Sequence, residues 1–217
     1  MVEIDEVNFE TVIPNSELRF SGGRTDSVSS PESLNHLNRV PSFAGREPDL
    51  IQLGIKIRNG TSIPLYFSNY ETLVPEMIDS EGEKVHVGTH VDGICFPKKS
   101  NYLLVAPQES IKIFPLSALL RNENGLEICI YSETGMFFLL YCLQKNFLRN
   151  PTSNLTPGRY TFRFSYTNRY PRDLSELNGK PYSGSRLIRH MINLESSLSE
   201  KVWRGTAHTP FQNVYLC

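Results

Sequence analysis

The segment VHVGTHVDGIC, which starts at Val85, brings together the side chains that most often hold transition metals. His86, His90 and Asp92 are separated by even numbers of residues, so in one continuous strand they would share a face. Imidazole and carboxylate groups suit zinc or a similar ion. The spacing matches no strong zinc signature, however, and an edge strand with exposed histidines is the alternative. A metal site at His86, His90 and Asp92 is therefore a hypothesis, and no organic cofactor is predicted.

A second set of chemically able residues lies in the segment RYPRDLSELNGKPYSGSRLIRH, where arginines alternate with tyrosines. Basic groups beside aromatic rings can contact a protein, a peptide or a nucleic acid. The positive surplus is local and the whole chain has a net charge of -1, which disfavours nucleic acid. Long loops on a rigid scaffold are common binding sites. We therefore predict contact with another protein or peptide through Arg169, Arg172, Tyr182 and Arg186.

Motifs for nucleophilic catalysis and for phosphate binding are absent from the sequence. No G-x-S-x-G elbow occurs, and no cysteine stands near a histidine in a recognisable motif. The glycine pair in FSGGRTDS is not followed by the lysine and hydroxyl residue of a P-loop. We therefore expect a protein without catalytic activity.

The elements that would carry these residues are predicted mostly as strands. Apolar residues alternate with polar ones in DLIQLGIKIRNG, where Asn59 and Gly60 are expected to turn the chain at positive φ. The same period of two occurs in LTPGRYTFRFSYTN, and we expect its alternate aromatic residues to point into a core and Arg163 to lie on the wetter side. Those aromatic residues are Tyr160, Phe162, Phe164 and Tyr166.

Many short strands separated by turn signals predict an all-β fold, a two-sheet antiparallel sandwich. Residues 48–217 are predicted to form this domain. Residues 1–47 are predicted to be a largely irregular arm, with short strands near Val2–Val12 and Leu18–Phe20. One short helix is expected in a late insertion, because apolar residues in SRLIRHMINLESSLSE recur at steps of four, three and four.

The expected compartment is the cytoplasm. The first residues are acidic and show no secretory signal, and the longest apolar run, Met136 to Leu143, has eight residues. A membrane span needs roughly 18 residues, so no membrane association is predicted. The four cysteines show no C-x-x-C spacing and are expected to remain reduced.

The segments LTPGRYTFRFSYTN, VWRGTAHTPFQNVYL and IKIRNGTSIPLYFS resemble strands of bacterial immunoglobulin-like sandwich modules, intracellular proteinase inhibitor-type domains among them. In such modules a Pro-Gly turn opens the penultimate strand, and a W-x-G segment begins the last one. The resemblance implies an immunoglobulin-like fold and, by analogy, protease inhibition.

Together these observations predict a non-catalytic, cytosolic protein-binding or accessory module. The alternatives are a metal-binding protein or metal-dependent enzyme that uses His86, His90 and Asp92, and an intracellular protease inhibitor.

Overall fold

The structure is a computed structural model. It describes residues 1–21, 48–91, 98–122, 125–131, 136–141, 155–168, 193–194, 196–198 and 200–217.

The described residues form strands almost throughout. In chain order the strands are β1 (Val2–Ile4), β2 (Val7–Val12), β3 (Glu17–Leu18), β4 (Asp49–Ile51), β5 (Gly54–Asn59), β6 (Leu65–Ser68), β7 (Leu73–Ile78), β8 (His86–Val91), β9 (Tyr102–Val105), β10 (Ser110–Ile113), β11 (Leu116–Asn122), β12 (Gly125–Tyr131), β13 (Met136–Tyr141), β14 (Gly158–Asn168), β15 (Lys201–Val202), β16 (Gly205–His208) and β17 (Gln212–Leu216). A 3₁₀ turn over Lys99–Asn101 precedes β9. The all-β prediction is confirmed.

Hydrogen bonds join these strands into four sheets. The first has the order β1-β2-β5-β10, the second β4-β11-β12-β13-β8, and the fourth β15-β6-β9. The third, called here the β14 sheet, has the order β16-β14-β17-β3, and β7 also pairs with β14. Neighbouring strands are antiparallel except for the pairs β15–β6 and β17–β3.

The longest strand, β14, is central to its sheet. β7 pairs with it along one edge, while β17 and β16 share the other edge, β17 beside Gly158–Phe162 and β16 beside Ser165–Asn168. Between these two neighbours the hydroxyl of Thr209 accepts a hydrogen bond from the Phe164 N–H and donates one to the Phe164 carbonyl. The Thr209 side chain thus satisfies the backbone N–H and carbonyl of Phe164 in the gap between β16 and β17.

The aromatic residues of β14 point inward, as the sequence predicts. Phe162, Phe164 and Tyr166 have no solvent exposure and Tyr160 retains 4%. Arg163, between them, lies on the wetter face, with its side chain 24% exposed. Alternation in β14 therefore separates an apolar core face from a polar outer face.

Four aromatic rings form the centre of the core: Phe9 of β2, Phe67 of β6, Tyr166 of β14 and Trp203 after β15. Every pair among them is in contact, with ring centroids 4.9 to 6.5 Å apart. The Tyr166 hydroxyl donates a hydrogen bond of 2.7 Å to the Ser68 carbonyl, so this buried polar group is satisfied. The four-ring cluster joins three of the four sheets.

Residues 1–21 belong to the sheets. β2 pairs with β5 along its whole length, and Val7 and Phe9 are fully buried. Strands near Val2–Val12 and Leu18–Phe20 are expected from the sequence, and the division of the chain at residue 48 stays a prediction. Residues 22–47 lie outside the described residues.

The segment DLIQLGIKIRNG departs from the sequence prediction in two ways. It forms two strands in different sheets, because the chain leaves β4 at Ile51 and enters β5 at Gly54. Neither Asn59 nor Gly60 has positive φ. Gly60 is required by close approach instead, since a Cβ there would lie 2.4 Å from the Glu6 carbonyl oxygen.

In the segment of the predicted late helix, the structure describes Asn193, Leu194 and Ser196 as helical and Ser197, Leu198 and Glu200 as non-helical. In the described part of the chain, no helix has the length and apolar character that crossing a membrane requires.

The four-ring cluster predicts a large cost for truncating its central ring. We expect Phe9→Ala to lower the free energy of unfolding by about 3–5 kcal/mol, because a cavity opens among three other rings. Phe114→Ala is the matched control, since Phe114 is 40% exposed, and it should cost less than about 1 kcal/mol. Denaturation followed by fluorescence of Trp203, the single tryptophan, measures both; equal losses would contradict the central role of the cluster.

Candidate functional site

The histidines of the predicted metal site lie on β8, at one end of the second sheet. His86 stands opposite Tyr141 and His90 opposite Phe137 on β13. Asp92 lies outside the described residues, among which no group of three metal-ligating side chains converges. The metal site remains a prediction.

The predicted partner-binding residues Arg169, Arg172, Tyr182 and Arg186 also lie outside the described residues. Contact through that loop remains a prediction.

Four polar side chains lie in contact on the outer face of the β14 sheet. Glu76 of β7, Arg163 and Ser165 of β14 and His208 of β16 are side by side, because the register places Arg163 opposite Glu76 and Ser165 opposite His208. Arg163 Nη2 lies 2.7 Å from Glu76 Oε2. Ser165 Oγ lies 2.5 Å from Glu76 Oε1 and 2.7 Å from His208 Nδ1. We call these four residues the Glu76 network.

A serine, a histidine and a carboxylate in contact raise the question of nucleophilic catalysis. In a catalytic triad the serine donates its proton to one imidazole nitrogen and the acid binds the other. Here the same nitrogen, His208 Nδ1, is nearest to Ser165 and is also 3.5 Å from Glu76 Oε1. The ionised Glu76 carboxylate can only accept hydrogen bonds, so it takes the single hydroxyl proton of Ser165.

His208 Nδ1–H therefore donates to Ser165 Oγ, and Ser165 Oγ–H donates to Glu76. The direction is opposite to the one that would activate the serine. Ser165 is also 4% exposed and lies within a strand. The network joins three strands and does not prepare a nucleophile.

The charge of Glu76 is stabilised by its neighbours. Partial burial raises the pKa of this carboxyl, but hydrogen bonds from Arg163 and Ser165, and the charges of Arg163 and His208, lower it by more. The pKa of Glu76 consequently lies below its ordinary value. The carboxylate stays ionised, which keeps it an acceptor for Ser165.

Exposed apolar side chains surround the Glu76 network. The ring of Phe211, in the connection between β16 and β17, lies 4.3 Å from the guanidinium carbon of Arg163, a cation–π contact. Val74 stands on β7 opposite Ser165, and Tyr215 on β17 opposite Arg159. Val74 is 40%, Phe211 36% and Tyr215 41% exposed. We call this surface, the Glu76 network with Val74, Phe211, Tyr215 and Arg159, the β14 face.

Sequence reasoning did not find Glu76, Ser165, His208 or Phe211 as one site. Their separations in sequence reach 135 residues, from Glu76 to Phe211. The only signal was the polar alternation in β14, which placed Arg163 and Ser165 on the outer side without showing which strands pair with it.

The chain was compared with protein-family models, with curated proteins and with solved structures, and no match was found in any of the three.

The hydrogen-bond direction in the Glu76 network predicts an unreactive serine. We expect a fluorophosphonate probe, which labels activated serines, to leave Ser165 unmodified when the intact protein is examined by mass spectrometry. Ser165→Ala supplies the control for background labelling. Labelling of the wild type that disappears in Ser165→Ala would contradict this assignment.

The lowered pKa of Glu76 predicts a pH dependence of stability. Ionised Glu76 stabilises the fold above the pKa it has in the unfolded chain, whose ordinary value is 4.5, and this contribution is lost as the pH falls through the lower folded pKa. Unfolding free energies of the wild type should therefore decrease more steeply below pH 4.5 than those of Glu76→Gln. Glu3→Gln, an exposed control on β1, should keep the wild-type slope; a wild-type slope in Glu76→Gln would refute the prediction.

Proposed function

We propose that this protein is a non-catalytic, cytosolic protein-binding module with an immunoglobulin-like arrangement of its strands, and that it binds its partner through the β14 face. One observation carries the proposal: three large apolar side chains are exposed around an ordered network of charged and polar groups on a single sheet face.

The composition of the β14 face fits a protein interface. Aromatic residues and arginine are enriched in such interfaces, with apolar groups bordered by polar ones. Phe211 and Tyr215 supply rings, and Arg163 is held under Phe211 by Glu76. Side chains fixed in this way lose little conformational freedom when a partner binds.

The charges of the β14 face favour a partner that offers a carboxylate beside apolar side chains. Arg159 donates hydrogen bonds of 3.3 and 3.0 Å to the neutral amide oxygen of Asn213. Within the described residues no carboxylate pairs with Arg159, so its charge is available next to Tyr215. An acidic group of the partner would complete this pair, while its apolar groups cover Tyr215 and Phe211.

Two features support the immunoglobulin-like fold and the cytosolic location in this proposal. The buried aromatic face of β14 and the burial of Trp203 agree with the roles that these residues have in immunoglobulin-like sandwiches. The exposed Cys217 forms no disulfide, as is usual for proteins of the cytosol.

Metal binding at His86, His90 and Asp92 and protease inhibition stay alternative predictions. Elemental analysis of the purified protein tests the first, and a panel of serine and cysteine proteases tests the second.

Site-specific photocrosslinking in cells tests the proposed surface. A photoreactive phenylalanine analogue placed at Tyr215 should form discrete adducts with another protein, because this position lies within the interface. Phe211→Ala should reduce the adducts by about tenfold, as expected for loss of an aromatic anchor. Arg159→Glu should reduce them through repulsion of an acidic partner.

Matched positions give the controls. The analogue at Leu104, which is 49% exposed on β9, should yield none of the Tyr215 adducts, and Phe114→Ala should leave those adducts unchanged. Placed at Tyr182, the analogue tests the loop predicted from sequence. Adducts from Tyr182 with none from Tyr215 would move the interface to that loop and overturn the assignment to the β14 face.

A further inference from the structure

A cleft of about 490 Å³ shares none of its lining residues with the β14 face. Three segments line it: the turn between β1 and β2, the connection between β5 and β6, and the chain from β15 to β16. A volume of this size is in the range of small-ligand sites, which span roughly 300–1,000 Å³.

The rim of the cleft is fixed by hydrogen bonds of buried groups. The fully buried Asn59 side chain donates to the carbonyls of Ile63 and Val105 and accepts from the N–H and hydroxyl of Thr61. These bonds hold the β5–β6 connection in one conformation. The Gly60 N–H donates to the Glu6 carbonyl at 2.9 Å, which binds the β1–β2 turn to the same connection.

The opposing segment is fixed as well. The Trp203 N–H donates to the Tyr66 carbonyl, and the Trp203 carbonyl accepts a hydrogen bond from the Asn168 side chain. The Trp203 side chain is 4% exposed and lines the cleft. Its Nε1 is buried and has no hydrogen-bond partner in the described part of the chain. The walls are therefore preformed.

Opposite charges line different walls of this cleft. Asp5 and Glu6 form the two-residue turn of the β1–β2 hairpin, both at positive φ (51° and 61°). Lys201 and Arg204 come from the segment on either side of Trp203. Among the described residues, neither Asp5 nor Glu6 forms an ion pair with Lys201. The two carboxylates and the Lys201 ammonium therefore line the same cleft without pairing with one another.

We propose that the cleft binds a short peptide segment that carries both an ammonium and a carboxylate group. The ammonium group lies against Asp5 and Glu6, and the carboxylate lies against Lys201 and Arg204. Ile63 and Val202 contact the apolar part of the ligand between its two charges. The charges could come from the free termini of a small peptide or from lysine and glutamate side chains of a longer one. This inference is independent of the β14 face.

The position of Trp203 gives a direct assay, because it is the single tryptophan of the chain. The full-length protein is titrated with the tripeptide Gly-Leu-Gly, with its acetylated and amidated form, and with acetyl-Lys-Leu-Glu-amide. A saturable change of tryptophan fluorescence is expected with the first or the third peptide, and binding of the uncharged second peptide should be at least about tenfold weaker. The first peptide reports recognition of termini and the third recognition of side chains.

Variants assign the binding to the cleft. Lys201→Met and the double variant Asp5→Asn/Glu6→Gln should each weaken binding by about tenfold, whereas Lys112→Met, an exposed control on β10, should not. The double variant Phe211→Ala/Tyr215→Ala should retain wild-type peptide affinity, because neither residue lines the cleft. A result that rejects the β14 face as a binding surface would therefore leave this test valid. Amide chemical shifts of the wild-type protein, measured during the same titration, should change at residues 5–6 and 201–204, without reliance on any variant.

The proposal is overturned if neither charged peptide gives a saturable signal at millimolar concentration. Equal binding of the uncharged peptide, unchanged affinity in the cleft variants, or shifts confined to other residues would each overturn it as well.

Discussion

Contact among four buried rings is the interaction on which the rest of this structure depends. Phe9, Phe67, Tyr166 and Trp203 touch one another in every combination. They come from three sheets that share no hydrogen-bonded ladder. Side-chain packing, together with isolated bonds such as that of the Tyr166 hydroxyl to Ser68, therefore holds these sheets together. Trp203, fixed in this way, lines the cleft. The register of β14 determines which side chains lie together on the outer face of its sheet.

The two faces of β14 differ, one apolar and buried and the other polar, because alternate residues point in opposite directions. Burial of Phe162, Phe164 and Tyr166 determines the register with β7 and β16, and a slip by one residue would expose all three. That register brings Glu76 beside Arg163, and His208 beside Ser165. The outer face thus acquires an ordered charge network without any packing requirement of its own, which leaves the side chains around it available for the proposed contact with a partner.

The sequence predicts those parts of the fold that depend on local periodicity. The inward aromatic residues of β14 and the all-β class follow from alternation alone. Alternation cannot show which strands are neighbours, so the meeting of Glu76 with Ser165 and His208 was not predicted. It also cannot show a change of sheet within one alternating run, as between Ile51 and Gly54. Gly60 is required by its close approach to the Glu6 carbonyl, which is distant in sequence. The positive φ predicted there from turn propensity is therefore wrong.

Contacts between segments about 200 residues apart constrain how the protein is made. Phe9 packs against Trp203, the Thr11 hydroxyl contacts that of Thr209, and Gln212 donates a hydrogen bond to the Thr11 carbonyl. During synthesis β2 leaves the ribosome long before Trp203, whose ring completes its packing. The apolar face of β2 can therefore pair with β5 but stays only partly covered until Trp203 has been translated. Such long-range closure is characteristic of slow-folding β proteins, and it makes the nascent chain the stage at which this protein is most exposed to aggregation.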